Sequence, residues 1–284
     1  MIASTVSQPY NNHQSLRSSV IAFSFVVIQL FLLPLSHAEI RSISFSLPNG
    51  HPEVDDKTEQ HPEARLHFSI KKAKEAFDNK DWKEAINRGE NALKDCSQLF
   101  SEHDRRCIRI MKNNSMTYFR AGQLQENAVN IEHAYHTASK ELGAMHFSTI
   151  RTREVFHQLL LDQVRYKEAI PVVIELIEAE RQTGDDEYKV LDWLIQLYAL
   201  YKVEGFIDQE IPILLEMTAL TEKLLGEESD QLSRTRTALT ESYCEQKQYH
   251  DFYELKRQYK IKTKCKLPMR KRITLPFFRK FNLG

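Results

Sequence analysis

Self-similarity with a period of about 42 residues is the feature that most constrains how this chain can fold. Short segments mixing aromatic or polar turn residues with Ala recur along it, at Asp81-Trp82-Lys83-Glu84-Ala85, Gly122–Asn127, Arg165-Tyr166-Lys167-Glu168-Ala169, Gly205–Glu210 and Gln248–Phe252. Aligning Ala85, Asn127, Ala169, Glu210 and Phe252 gives steps of 42, 42, 41 and 42. A second marker, Phe100-Ser101, Leu142-Gly143, Thr183-Gly184 and Leu225-Gly226, keeps the same beat. Two markers in phase imply stacked units, each too small to bury its apolar face alone.

The units are helical. Only 8 Gly occur in 284 residues, and long stretches are rich in Ala, Leu, Glu, Lys and Gln, the strong helix formers. No run of alternating β-branched residues reads as a strand. In the third unit, Val155, Phe156, Leu159, Leu160 and Val164 form one apolar stripe, and Ile170, Val173, Ile174 and Ile177 form the next. These predict two antiparallel helices, Phe147–Gln163 and Tyr166–Gln182. Pro171 and Pro212 occupy matching places in successive units. Both are expected in or just after a first helical turn, where a missing N–H loses no partner.

These residues resemble those of tetratricopeptide (TPR) repeat proteins, of the long-period type found in kinesin light chains. The signature residues are Ala73, Ala76, Trp82, Ala85 and Ala92 in the first repeat, and Ser115, Tyr118, Leu124, Asn127 and Ala134 in the second. The third has His157, Leu160, Tyr166, Ala169 and Leu176. The fourth has Tyr198, Tyr201, Ile207, Glu210 and Met217, and the fifth Thr240, Tyr243, Tyr249, Phe252 and Tyr259. Leu142-Gly143-x-x-His146 is typical of the long-period type. The resemblance implies an all-α fold, a right-handed α-solenoid of about five antiparallel helix pairs with helix A lining the concave face. Large residues at the small positions of the last two repeats are expected to widen the helix spacing there.

Four segments are expected: a signal peptide at 1–38, a flexible linker at 39–63, the solenoid at 64–262 and a basic aromatic tail at 263–284. Residues 20–35 are apolar except for Ser24, Gln29 and Pro34; Arg17 precedes them, and no acidic residue occurs before Glu39. Ser36-His37-Ala38 then offers small residues to a signal peptidase, giving a mature start at Glu39 and export to the periplasm or medium. The alternative is an uncleaved membrane anchor. Net charge is zero, yet residues 260–284 hold nine Lys or Arg and no acid. An acidic body with a basic tail implies two kinds of surface.

No Gly-rich phosphate loop, GxSxG, HExxH or CxxC is present, so neither an enzyme nor a cofactor is expected. Glu132, His133 and His136 read as a polar helix surface rather than a metal site, since nothing supplies a third ligand. The expected working surface is the helix A face: Arg109, Lys112, Asn113, Met116, Phe119, Arg151, Glu154, Gln158, Arg234, Thr237 and Glu241. Its cations suit a carboxylate or an extended acidic peptide, and Met116 and Phe119 suit an apolar side chain. The tail, with Phe277, Phe278 and Phe281 among Lys and Arg, is an alternative contact to an anionic membrane surface; export makes nucleic acid an unexpected partner. Four cysteines in an exported chain point to disulfides, with Cys96 and Cys107 at similar heights on neighbouring helices and Cys244 meeting Cys265 if the chain folds back. Four free thiols are the other reading.

Overall fold

The computed structural model describes residues 61–183 and 186–265. The expected signal peptide, nearly all of the linker and most of the basic tail lie outside them.

Ten α-helices follow one another among the described residues. They are α1 Pro62–Asp78, α2 Trp82–Leu99, α3 Arg105–Ala121, α4 Ala128–Leu142 and α5 Phe147–Asp162. They continue with α6 Tyr166–Thr183, α7 Glu187–Glu204, α8 Glu210–Leu225, α9 Asp230–Glu245 and α10 Tyr249–Gln258, with one 3-10 turn at Ile207–Gln209 before α8. Each helix packs on the next, and α3 also packs on α5 across a repeat boundary. The result is a right-handed all-α solenoid of five helix pairs, A helices being α1, α3, α5, α7 and α9.

The second sequence marker is the geometry that joins one pair to the next. Gly143 and Gly226 follow α4 and α8 with φ/ψ of 85/163° and 84/169°, a region that is essentially glycine's alone. Three residues later a side chain caps the next A helix. His146 Nδ1 accepts from the Ser148 amide and Ser229 Oγ from the Leu232 amide. Asp104 does the same for the Arg106 amide at 2.9 Å. Such caps satisfy amide donors that the helix itself leaves unpaired.

The first marker is the close crossing inside each pair. Ala85, Ala169 and Phe252 are all but inaccessible. Asn127 differs: it is partly exposed and serves as the residue before α4, because a turn at residues 124–127 delays that helix. Glu210 is 1 % exposed at a position where the first and third repeats carry Ala. Its carboxylate accepts a hydrogen bond from Ser242 Oγ at 2.6 Å and lies 3.3 Å from Lys202 Nζ, so the buried charge is partnered.

Two details depart from the sequence reading. Helix α1 begins at Pro62, inside the expected linker, because proline suits the first turn. Pro171 lies just after the first turn of α6, as expected, but the missing N–H does lose a partner there, since the Lys167 carbonyl goes without its helical N–H. Pro212 is in the first turn of α8, as expected.

One apolar core runs from Met116 on α3 to Leu239 on α9, centred on Leu159, Leu160, Val173, Leu176, Leu191, Leu194 and Leu214. Arg153, 0 % exposed, crosses it. Its guanidinium lies over the Tyr135 ring, and its Nε is 3.0 Å from Glu175 Oε2 at an angle too bent for a hydrogen bond. Tyr135 Oη donates to the same carboxylate and the ring stacks on Phe156 at 4.9 Å. A smaller, separate cluster of Leu66, Ala92, Cys96, Cys107 and Ile110 holds the first repeat to α3. Cys96 and Cys107 are bonded, as are Cys244 and Cys265, each with Cα atoms 5.6 Å apart. The second bond ties the segment after α10 back onto α9.

Candidate peptide-binding face

Equivalent positions on the A helices place Arg109, Arg151, Asp192 and Arg234 in one column, at steps of 42, 41 and 42. The site is built where the second and third repeats bring α3 and α5 together. Lys112 on α3 is 3 % exposed. Its Nζ lies 5.3 Å from the centre of the Phe147 ring at the start of α5, and Arg151 Cζ lies at the same 5.3 Å. Half of Phe147 remains exposed, so the ring forms an apolar step beside two cations.

Burial removes water from Lys112, and Arg109 and Arg151 add repulsion. Its pKa falls to about 8. Neither Lys112 nor Arg109 has a carboxylate partner among the described residues. Arg151 does: its Nη1 donates to both Glu154 oxygens at 3.1 and 2.7 Å. Lys189 from α7 lies 3.4 Å from Glu154 and donates to Glu180 at 2.5 Å. Arg151, Glu154, Lys189 and Glu180 therefore form a neutral chain across three helices, with Lys112 and Arg109 left as surplus positive charge at its edge.

The other sequence candidates fall into different settings. Met116 is part of the main core rather than an open surface, and Phe119 packs partly against that core. Asn113 is 8 % exposed and its carbonyl accepts from Thr117 Oγ1. Gln158 is half-buried, with Nε2 3.3 Å from His157 Nδ1. Arg234 is exposed and distant from the Lys112 cluster in the repeat order. Thr237 donates to the Ser233 carbonyl and Glu241 accepts from Thr263.

Sequence reasoning missed Phe147, Lys189 and Asp192. Asp192 stands one repeat after Arg151 on α7, half-buried, and no cation pairs with it among the described residues. Burial first, and Asp186 second, raise its pKa to about 6. The column spacing itself could have found it, since it occupies the place of an arginine in the repeats on both sides. His157 is fully buried against Trp193, ring centres 5.5 Å apart, and burial lowers its pKa to about 4.

On the opposite side, His133 and His136 lie near carboxylates of Glu102 and Glu132 at 3.6 and 3.9 Å. Among the described residues no group of three or more His, Cys, Asp or Glu could hold a metal ion. None of the described helices is long and apolar enough to cross a membrane. A cavity of about 660 Å³ lies between the turns of the fourth and fifth repeats, lined by Phe206, Ile207, Gln246 and Lys247 among others.

Fold and period together define a TPR-like α-solenoid with a long, 41–42-residue repeat. Solved structures of TPR-like repeats share this fold. The TPR-like repeats of a Podosopora anserina kinesin light chain-like protein are 18% identical, with a TM-score of 0.51 over 71% of this chain and 95% of that one. A second structure of those repeats matches equally, at 18% identity and TM-score 0.51 over 70% and 94%. BtubC from P. vanneervenii is 15% identical, with a TM-score of 0.47 over 88% and 91%. No protein-family model matches the sequence. No curated protein matches it either.

Proposed function

We propose that this chain is an exported interaction scaffold that holds an extended, acidic or C-terminal peptide against its A helices. One observation carries the reading. Lys112 is buried beside Arg109, Arg151 and an open aromatic ring, without a carboxylate partner among the described residues. Desolvating a cation without a partner is costly, and an incoming carboxylate relieves that cost. An α-solenoid also presents its concave surface to partners by construction.

Export rests on the N-terminal sequence pattern. Two disulfides fit an oxidising compartment. Edman sequencing of protein recovered from the envelope or medium should read Glu39 first; an intact Met1 on membrane-bound protein would make the segment an anchor.

The binding test is calorimetry with a partner captured by the mature protein from its own envelope fraction. Arg151→Ala should weaken the complex by about tenfold to a hundredfold, since a charge-assisted hydrogen bond contributes ~1.5–3 kcal/mol. Affinity should also fall as pH rises above about 8, where free Lys112 loses its proton. The charges acting on Lys112 from α3 and α5 are Arg109 and Arg151. Equal affinity for Arg151→Ala and a flat profile from pH 7 to 9.5 would put the partner elsewhere. Deleting residues 266–284, which spares Cys265, should leave this binding intact; loss of binding would favour the basic tail as the working surface.

A further inference from the structure

The unpaired charges on the A helices are of both signs, and they are separated. Among the described residues, Arg109 and Lys112 lie on α3 without carboxylates. Asp192 lies on α7 without a cation among them, and Asp186, which caps α7 by accepting from the Lys189 amide, is near enough to repel it. Between them the Arg151–Glu154–Lys189–Glu180 chain is already neutral. A uniformly acidic ligand would satisfy the α3 end and meet repulsion at α7. A uniformly basic one would do the reverse.

We propose that the peptide is bipolar: an acidic group seats on Arg109, Lys112 and Arg151, and a Lys or Arg of the same segment seats on Asp192. The proposal rests on the peptide-scaffold reading and adds a specificity-determining residue to it. It explains why a half-buried carboxylate stands where both flanking repeats carry Arg. Neighbouring packed helices are ~8–10 Å apart, and an extended chain advances ~3.3–3.6 Å per residue. The two ligand charges should therefore be about three residues apart for each repeat spanned, which is about six between the α3 cations and Asp192 on α7. Occupation by the acidic group would neutralise the surplus of Lys112, and occupation by the cation would neutralise Asp192.

The test uses fluorescein-labelled, N-acetylated decapeptides and the full mature protein in fluorescence anisotropy. One pair places Asp-Asp six residues before or after Lys-Lys, a third peptide is all-acidic, and a fourth is neutral. One of the two bipolar orders should bind about tenfold tighter than the all-acidic peptide, the effect of one charge-assisted contact. Asp192→Asn should remove that preference while leaving affinity for the all-acidic peptide unchanged or higher. The charge reversal Asp192→Lys should make the all-acidic peptide the tightest ligand. Arg151→Ala should weaken both. An all-acidic peptide that binds at least as well as either bipolar one, with no response to Asp192→Asn or Asp192→Lys, would overturn the bipolar assignment and leave the acidic-peptide scaffold standing. Failure of all four to bind above the level of free dye would overturn both. Circular dichroism melts of each variant show that the fold is retained.

Discussion

The middle of this solenoid and its ends are held together by different physics. Repeats three and four share one large apolar core, in which Leu159, Leu160, Leu176, Leu191, Leu194 and Leu214 are almost wholly inaccessible. The first repeat has only a small cluster that includes Cys96 and Cys107. A central repeat has two neighbours and buries both faces; a terminal repeat has one, so much of its apolar surface has nothing to pack on. At both ends a disulfide adds a covalent joint: α2 to α3, and the segment after α10 to α9. The proposed peptide face occupies the boundary between the second and third repeats and extends toward the fourth, next to the well-packed centre.

The sharpest way to break this contrast is to cut into the centre. Leu194→Ala, at a fully packed site, should cost ~2–5 kcal/mol in denaturant unfolding, the range for buried Leu→Ala. Leu66→Ala, in the small cluster, should cost less. Equal costs would mean the two ends of the contrast do not exist.

Removing the N-terminal staple is the next largest effect. Cys96→Ser with Cys107→Ser opens a loop of about a dozen residues, for which chain entropy gives ~3 kcal/mol. The loss should be local: hydrogen exchange should speed up first in α1 and α2 while α5 to α7 keep their protection. Uniform acceleration would show the solenoid to be one cooperative unit.

A titration sharpens the comparison further. His157 is buried uncharged in the centre, with its pKa lowered from 6.5 to about 4. The unfolded chain therefore binds more protons than the folded one between those values, and stability falls as pH drops from about 6.5 to 4. The full effect approaches ~3 kcal/mol, at 1.36 kcal/mol per unit. Asp192 acts in the opposite sense. Its pKa is raised from 3.8 to about 6, so the folded state binds more protons in that window and gains stability as pH falls. Subtracting the profile of His157→Gln from that of the wild type isolates the histidine. A flat difference would mean that burial leaves the pKa of His157 at its unfolded value.

The smallest effect expected is at a boundary between repeats. Asp104→Ala removes the cap of α3 and should cost ~1 kcal/mol. The carboxyl there is held down at about 2 by hydrogen bonds from the Arg106 side chain and amide. Its contribution is thus present above the unfolded value and lost as pH falls through the folded one. A melting curve of Asp104→Ala that matches the wild type at pH 7 would mean the cap is dispensable.

Much of the fold could be read along the chain. The period alone dictated five helix pairs, because a recurring apolar stripe at helical spacing can be buried only against its own copies. Ala85, Ala169 and the Gly143 and Gly226 turns were legible because each is a local requirement: small volume at a crossing, or a backbone conformation that only glycine adopts. The candidate face was legible only in phase. Arg109, Lys112 and Arg151 could be assigned to one helix face, but Met116 on a neighbouring position proved to be core, since α3 and α5 close over it.

What the sequence determined by itself was therefore everything that depends on spacing within one helix or one repeat: helix class, register, repeat number and the column of A-helix charges. Only the tertiary structure decided which of those charges are neutralised. Arg151 finds Glu154 within its own helix, yet Glu154 also meets Lys189 from the next repeat, while Lys112, Arg109 and Asp192 find no counter-charge among the described residues. Pairing is set by distances between helices of a few ångströms, and Coulomb energy in a partly dry site changes steeply over that range. The pattern of residues along one chain does not specify such distances; the packing of side chains between helices does.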